Sequence, residues 1–67
     1  MISLKVNGAF YDFTHPVSPA ELVEFFNLSE KKIAIELNGS VLSKSDSWNL
    51  PFKNGDKIEI ITAVGGG

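Results

Sequence analysis

Apolar and polar positions alternate in several short runs along the chain, and turn residues punctuate them. Ile2, Leu4 and Val6 alternate with Ser3 and Lys5, the period-two signature of a half-buried strand. Asn7-Gly8 follows, a pair suited to the tight type I′ hairpin turn because both residues accept positive φ. A two-residue loop pairs Val6 with Ala9, so the return strand is predicted to send Ala9, Tyr11 and Phe13 inward and Phe10 and Asp12 outward. Thr14-His15-Pro16 breaks that strand. A helix start comes next: Ser18 as N-cap, Pro19 at the first helical position, Glu21 completing a capping box, and Val17 with Leu22 as a hydrophobic staple. Leu22, Phe25 and Phe26 fall at i, i+3 and i+4, which predicts one core-facing stripe on a helix of about nine or ten residues. Asn27 and the polar run from Ser29 to Lys32 end it.

A third strand is predicted where Ile33, Ile35 and Leu37 alternate with Ala34 and Glu36; the Asn38-Gly39 turn closes it, and Val41-Leu42 returns. From Ser43 to Lys53 the pattern is irregular. Ser45-Asp46-Ser47 suits a single helical turn, with Trp48, Leu50 and Phe52 as satellites over the core edge. Asn54-Gly55-Asp56 then launches a last strand, predicted to turn Ile58, Ile60, Thr62 and Val64 inward and Lys57, Glu59, Ile61 and Ala63 outward. The order strand, strand, helix, strand, short strand, irregular turn, strand leaves few topologies. The most economical places the first and last strands side by side at the centre of a mixed sheet of four to five strands, with one helix across it. That is an α+β architecture, the β-grasp. It assigns residues 1–64 to a single domain and leaves Gly65, Gly66 and Gly67 as a flexible tail.

Composition narrows the chemistry. At 67 residues the core is near the smallest that folds alone, so every apolar stretch is needed. The absence of cysteine excludes disulfides, thiolate metal sites and a thiol nucleophile, and fits a reducing cytoplasm. No apolar run reaches bilayer-spanning length and the first residues lack a signal-peptide layout, so a soluble, cytoplasmic protein with no membrane partner is expected. With a net charge of −2 and six scattered basic residues, no cationic stripe is available for nucleic acid. His15 is the sole histidine and precedes a proline, the carboxylates are dispersed, and no glycine opens a helix, so neither a metal site nor a catalytic residue is expected. Asp46-Ser47-Trp48 resembles the phosphopantetheine site of acyl carriers, but those are helical bundles. Asp56-Lys57 resembles the lipoylated hairpin of lipoyl domains, but here an apolar strand follows.

The carboxylate after Gly65-Gly66-Gly67 is the remaining reactive group. The three glycines can project it about 10 Å past the strand. With a pKa near 3.5 it is ionised and can attack an activated phosphate, giving an adenylate open to sulfur or nitrogen nucleophiles. Absent side chains allow entry into a narrow enzyme channel. Ile61 and Ala63, with Ala34 and Glu36 on the neighbouring strand, form the expected docking patch beside this end, and Phe10 is a candidate for its margin. An interaction module with an inert glycine end is the reading from a different class.

Several short motifs recur together in one known family. Val6-Asn7-Gly8, Glu36-Leu37-Asn38-Gly39, the Trp48 segment, Asn54-Gly55-Asp56-Lys57-Ile58-Glu59-Ile60 and Val64-Gly65-Gly66-Gly67 make the whole chain resemble the ThiS family, the ubiquitin-like sulfur carriers of thiamine biosynthesis. The resemblance implies that an E1-like (ThiF-type) adenylyltransferase consumes ATP to adenylate Gly67, and that a sulfur-donating enzyme then converts it to a thiocarboxylate. Sulfur would pass to a ThiG-type thiazole synthase, and the carrier itself would bind no cofactor. Gly66 and Gly67 match the family's terminal pair, and Gly65 is an additional glycine seen in many members. Ala9 departs from the family, whose members often have glutamate there. The small subunit of molybdopterin synthase, or another β-grasp sulfur donor, is the neighbouring alternative.

Overall fold

β1 (Ile2–Val6) and β2 (Ala9–Phe13) form an antiparallel hairpin in the derived register, Ile2 opposite Phe13 and Val6 opposite Ala9. Its turn places Asn7 at φ 48° and Gly8 at φ 85°, the double positive φ of a type I′ loop. The chain then crosses to α1 (Pro19–Phe25), β3 (Ile33–Leu37), β4 (Ser40–Leu42) and β5 (Lys57–Thr62), with 3₁₀ turns at Glu30–Lys32 and Asp46–Asn49. The computed structural model describes residues 1–43 and 46–62; the positions predicted for Ser45, Ala63, Val64 and Gly65 to Gly67 lie outside these.

The five strands lie in the order β2-β1-β5-β3-β4. β5 pairs parallel to β1 through Val6 and Ile58, and antiparallel to β3 from Ile33 opposite Thr62 to Leu37 opposite Ile58. First and last strands are therefore central neighbours, and the fold is the β-grasp: a mixed sheet crossed on one face by a single helix.

Helix α1 begins as its sequence dictates. Ser18 Oγ accepts from the Glu21 backbone N–H at 3.2 Å, and Glu21 Oε1 accepts from the Ser18 N–H at 2.9 Å. The Ser18 backbone N–H foremost, and then the Ser18 hydroxyl, lower the pKa of the Glu21 carboxyl, with His15 nearby adding to the effect. The helix is seven residues long, shorter than the apolar spacing implies. Asn27 at φ 57° ends it: its N–H reaches Glu24 O (2.9 Å) and the Leu28 N–H reaches Val23 O (3.0 Å), the two bonds of a Schellman cap.

The buried stripe of α1 is also rotated from the predicted one. Pro19, Leu22 and Val23 are buried and Phe26 is half-buried, a set spaced i, i+3, i+4 and i+7, whereas Phe25 is 59% exposed. Phe25 instead meets Phe13 and Phe26 edge-on, with centroids 5.2 and 5.0 Å away. Two apolar stripes overlap on this short helix, and the one that includes Pro19 wins because the staple already turns the first helical residue inward.

The core joins Ile2, Leu4 and Val6 of β1 to Ile33, Ile35, Ile58, Val17, Leu22 and Val23. Trp48 and Phe52 belong to it, at 4% and 5% exposure, rather than to a satellite layer. One helix on five strands leaves the β4 end of the core uncovered, and these rings close it. Trp48 Nε1 donates to Leu42 O (3.2 Å) and the Phe52 N–H to Val17 O (2.8 Å). Leu50, grouped with them by sequence, is exposed. Thr62, expected to face inward, is also exposed. At that level β5 has outlasted β1 and is paired with β3 alone.

Candidate functional site

The end of β5 and the sheet face turned away from α1 make the candidate site. Alternation along the strands puts Ala34 opposite Ile61 and Glu36 opposite Glu59, with Val41 beyond Glu36 on β4. Ile61 is 49% exposed and Ala34 and Glu36 are partly covered, so three of the four predicted docking residues within the described chain lie side by side on one surface. Glu36, Gly39, Lys57, Glu59 and Ile61 line a shallow depression there of about 390 Å³. Lys57 and Glu59 bring both signs of charge to its floor. The same alternation marks them as outward residues, so the signal for including them was already in the sequence.

Phe10 shares this face at a distance. It sits opposite Lys5 on β1, which in turn sits beside Lys57 on β5, so a whole strand separates it from β5. The Lys5 ammonium lies 5.6 Å from the centre of its ring, a cation–π contact. Gly65, Gly66, Gly67 and Ala63, the other predicted site residues, lie outside the described residues.

On the opposite side of β5, the same end opens onto a hollow of about 320 Å³ between the hairpin and the C-terminal end of α1. Val6, Tyr11, Phe26, Leu28 and Ile60 make its walls largely apolar, with Asn7 and Thr62 at its rim. Sequence reading did not anticipate this feature, because it arises where three elements end at one level.

Two asparagines fix β5 in place. Asn7 donates its backbone N–H to Ile58 O (2.9 Å), then enters its left-handed turn, which swings its own carbonyl away from β5. Its side-chain amide takes over: Oδ1 accepts from the Ile60 N–H at 2.7 Å and Nδ2 donates to Ile60 O at 3.3 Å. Asn38, at φ 51° in the other hairpin turn, does the same at the start of the strand. Its N–H donates to Lys57 O (2.8 Å) and its Oδ1 accepts from the Lys57 N–H (2.9 Å). Its Nδ2 also reaches Asp56 Oδ1 (3.2 Å), and Asp56 Oδ2 accepts from the Lys53 N–H (2.8 Å).

The described surface mixes exposed apolar and charged side chains. Among the described residues no three His, Asp or Glu side chains converge as metal ligands, and no helix is long and apolar enough to cross a membrane. His15 Nδ1 lies 3.0 Å from Thr14 Oγ1 in the loop before α1, away from β5.

Similarity to known proteins spans this whole framework. The model of the ThiS family matches residues 4–67. The thiamine biosynthesis protein (ThiS) of Geobacter metallireducens, known from a crystal structure, superposes with a TM-score of 0.78 at 28% identity, over 98% of this chain and 100% of that one. The uncharacterized protein ycf40 of Porphyra purpurea is 35% identical over 66 residues, 98% of this chain and 93% of its own. A thiazole synthase of Paramagnetospirillum magneticum is 29% identical over 66 residues, which are 98% of this chain but only 20% of that protein.

Proposed function

The chain belongs to the ThiS family, and on that premise we propose that it is a sulfur carrier for thiamine biosynthesis, a protein co-substrate that partner enzymes load and unload. The observation that carries this reading is the family match running through Gly65-Gly66-Gly67, on a β-grasp whose central strand is separated from them in the sequence by two residues. The Gly67 carboxylate attacks the α-phosphorus of ATP on an E1-like adenylyltransferase, and pyrophosphate leaves. A sulfur nucleophile then adds to the acyl carbon, the bond to AMP breaks, and a thiocarboxylate remains. Glycine at these positions matters because a side chain would obstruct passage into the partner's active site.

Thiazole synthase is the proposed acceptor of the sulfur. Support comes from the thiazole synthase in which a segment like this chain forms part of one polypeptide. That resemblance favours thiazole formation over molybdopterin synthesis as the destination. The face carrying Ile61, Ala34 and Glu36 is the proposed docking surface beside the reactive end. Incubation with ATP, a ThiF-type enzyme and sulfide should add about 16 Da, one oxygen replaced by sulfur. An unchanged mass under conditions that load another ThiS protein would overturn this reading in favour of an inert module.

A further inference from the structure

β1 stops pairing with β5 at Val6, yet β5 runs on to Thr62. What guides it over that interval is a side chain. In a continuing parallel ladder the Ile60 N–H would bond the carbonyl of residue 7, and Ile60 O would receive the next N–H along β1. The type I′ turn has removed both main-chain groups, and the Asn7 amide supplies one acceptor and one donor in their place. It therefore extends the sheet by one further rung on the side where no strand remains.

We propose that Asn7 is a positioning residue for the carrier reaction: by binding both backbone groups of Ile60 it fixes the direction in which the chain leaves the sheet at Thr62, and so aims the end presented to partner enzymes. The inference rests on the sulfur-carrier reading. Asn38 provides an internal control, since it occupies the same kind of turn and makes an equivalent bond to β5, but at Lys57, the far end of the strand.

Glycine is the informative replacement at both sites, because it keeps positive φ without strain while deleting the amide. In N7G the Ile60 amide should exchange with solvent about tenfold faster, and kcat/KM for loading by the adenylyltransferase should fall about tenfold, the worth of one or two hydrogen bonds. N38G should lose comparable thermal stability yet load within about twofold of wild type, as expected if aim rather than stability is at stake. N7D keeps the acceptor for the Ile60 N–H and should restore protection of that amide but only part of the loading rate. Equal loss of loading in N7G and N38G, or normal loading by an N7G protein whose Ile60 amide is exposed, would overturn the proposal. Failure of the wild type to load at all would overturn the carrier reading, and this proposal with it.

Discussion

The two faces of the sheet obey different rules. Toward α1 stand Ile2, Leu4, Val6, Ile33, Ile35 and Ile58, aliphatic and buried. Away from it, Lys5, Lys57, Glu36 and Glu59 are mixed with Phe10, Val41 and Ile61, which remain exposed. One face is dictated by packing, because a lost methylene leaves a void that neighbours cannot fill. The other is answerable only to whatever it meets outside the molecule. The packed face and the proposed docking face are thus separated by the thickness of one strand.

That separation can be broken most sharply on the inner side. Leu22→Ala should cost about 2–5 kcal/mol, as fully buried leucines do, and a domain of this size has little more than that in total. Urea denaturation checks it; a loss under about 1 kcal/mol would mean that the helix face carries little of the folding energy. Phe25→Ala should cost less, about 1–1.5 kcal/mol, since its edge-on ring contacts are lost but little buried area is. A result equal to that of Leu22 would restore the stripe that sequence spacing suggested.

The N-terminal cap of α1 comes next. Ser18→Ala should cost about 1 kcal/mol at neutral pH. Glu21 adds a pH signature, because its folded-state pKa is lowered: that stabilisation is complete above the ordinary glutamate value of about 4.3 and is lost as pH falls through the lowered folded value. Removing the Ser18 hydroxyl should flatten this acid limb only in part, because the Ser18 backbone N–H, the larger cause, remains; denaturation midpoints between pH 7 and pH 2.5 would reveal it. Smallest in stability is Ile61→Lys on the outer face, expected within about 0.5 kcal/mol of wild type. Its effect should appear instead as weaker transfer of sulfur to the acceptor enzyme. Undiminished transfer would move the docking surface elsewhere, the hollow at Tyr11, Phe26 and Leu28 being the next place to probe.

Much of this division was legible before any coordinates. Strict alternation gave β1, β3 and the facing of Ile61, Ala34 and Glu36, since a period of two admits only two outcomes. The Asn-Gly pairs located both hairpins, and the capping box located the helix start. The helix end was misjudged because its stop signal, Asn27 in a left-handed conformation, acts through backbone bonds that side-chain spacing does not encode. Trp48 and Phe52 were undervalued for a related reason. Their segment has no periodicity, and only the gap left by a single helix calls two rings into the core. The asparagine amides are legible in the sequence only as turn formers, since local sequence says nothing of the strand they bind, 53 residues from Asn7 and 19 from Asn38.

Among the described elements the central strand is also the last in chain order. Until β5 arrives, the β1–β2 and β3–β4 hairpins have no common neighbour, and a lone two-stranded hairpin is marginal in water. A chain lacking β5 should therefore remain open, and pairing of β5 with both β1 and β3 is what closes the domain. Without it, β1 and β3 each present an unpaired strand edge, the feature that invites pairing with other chains.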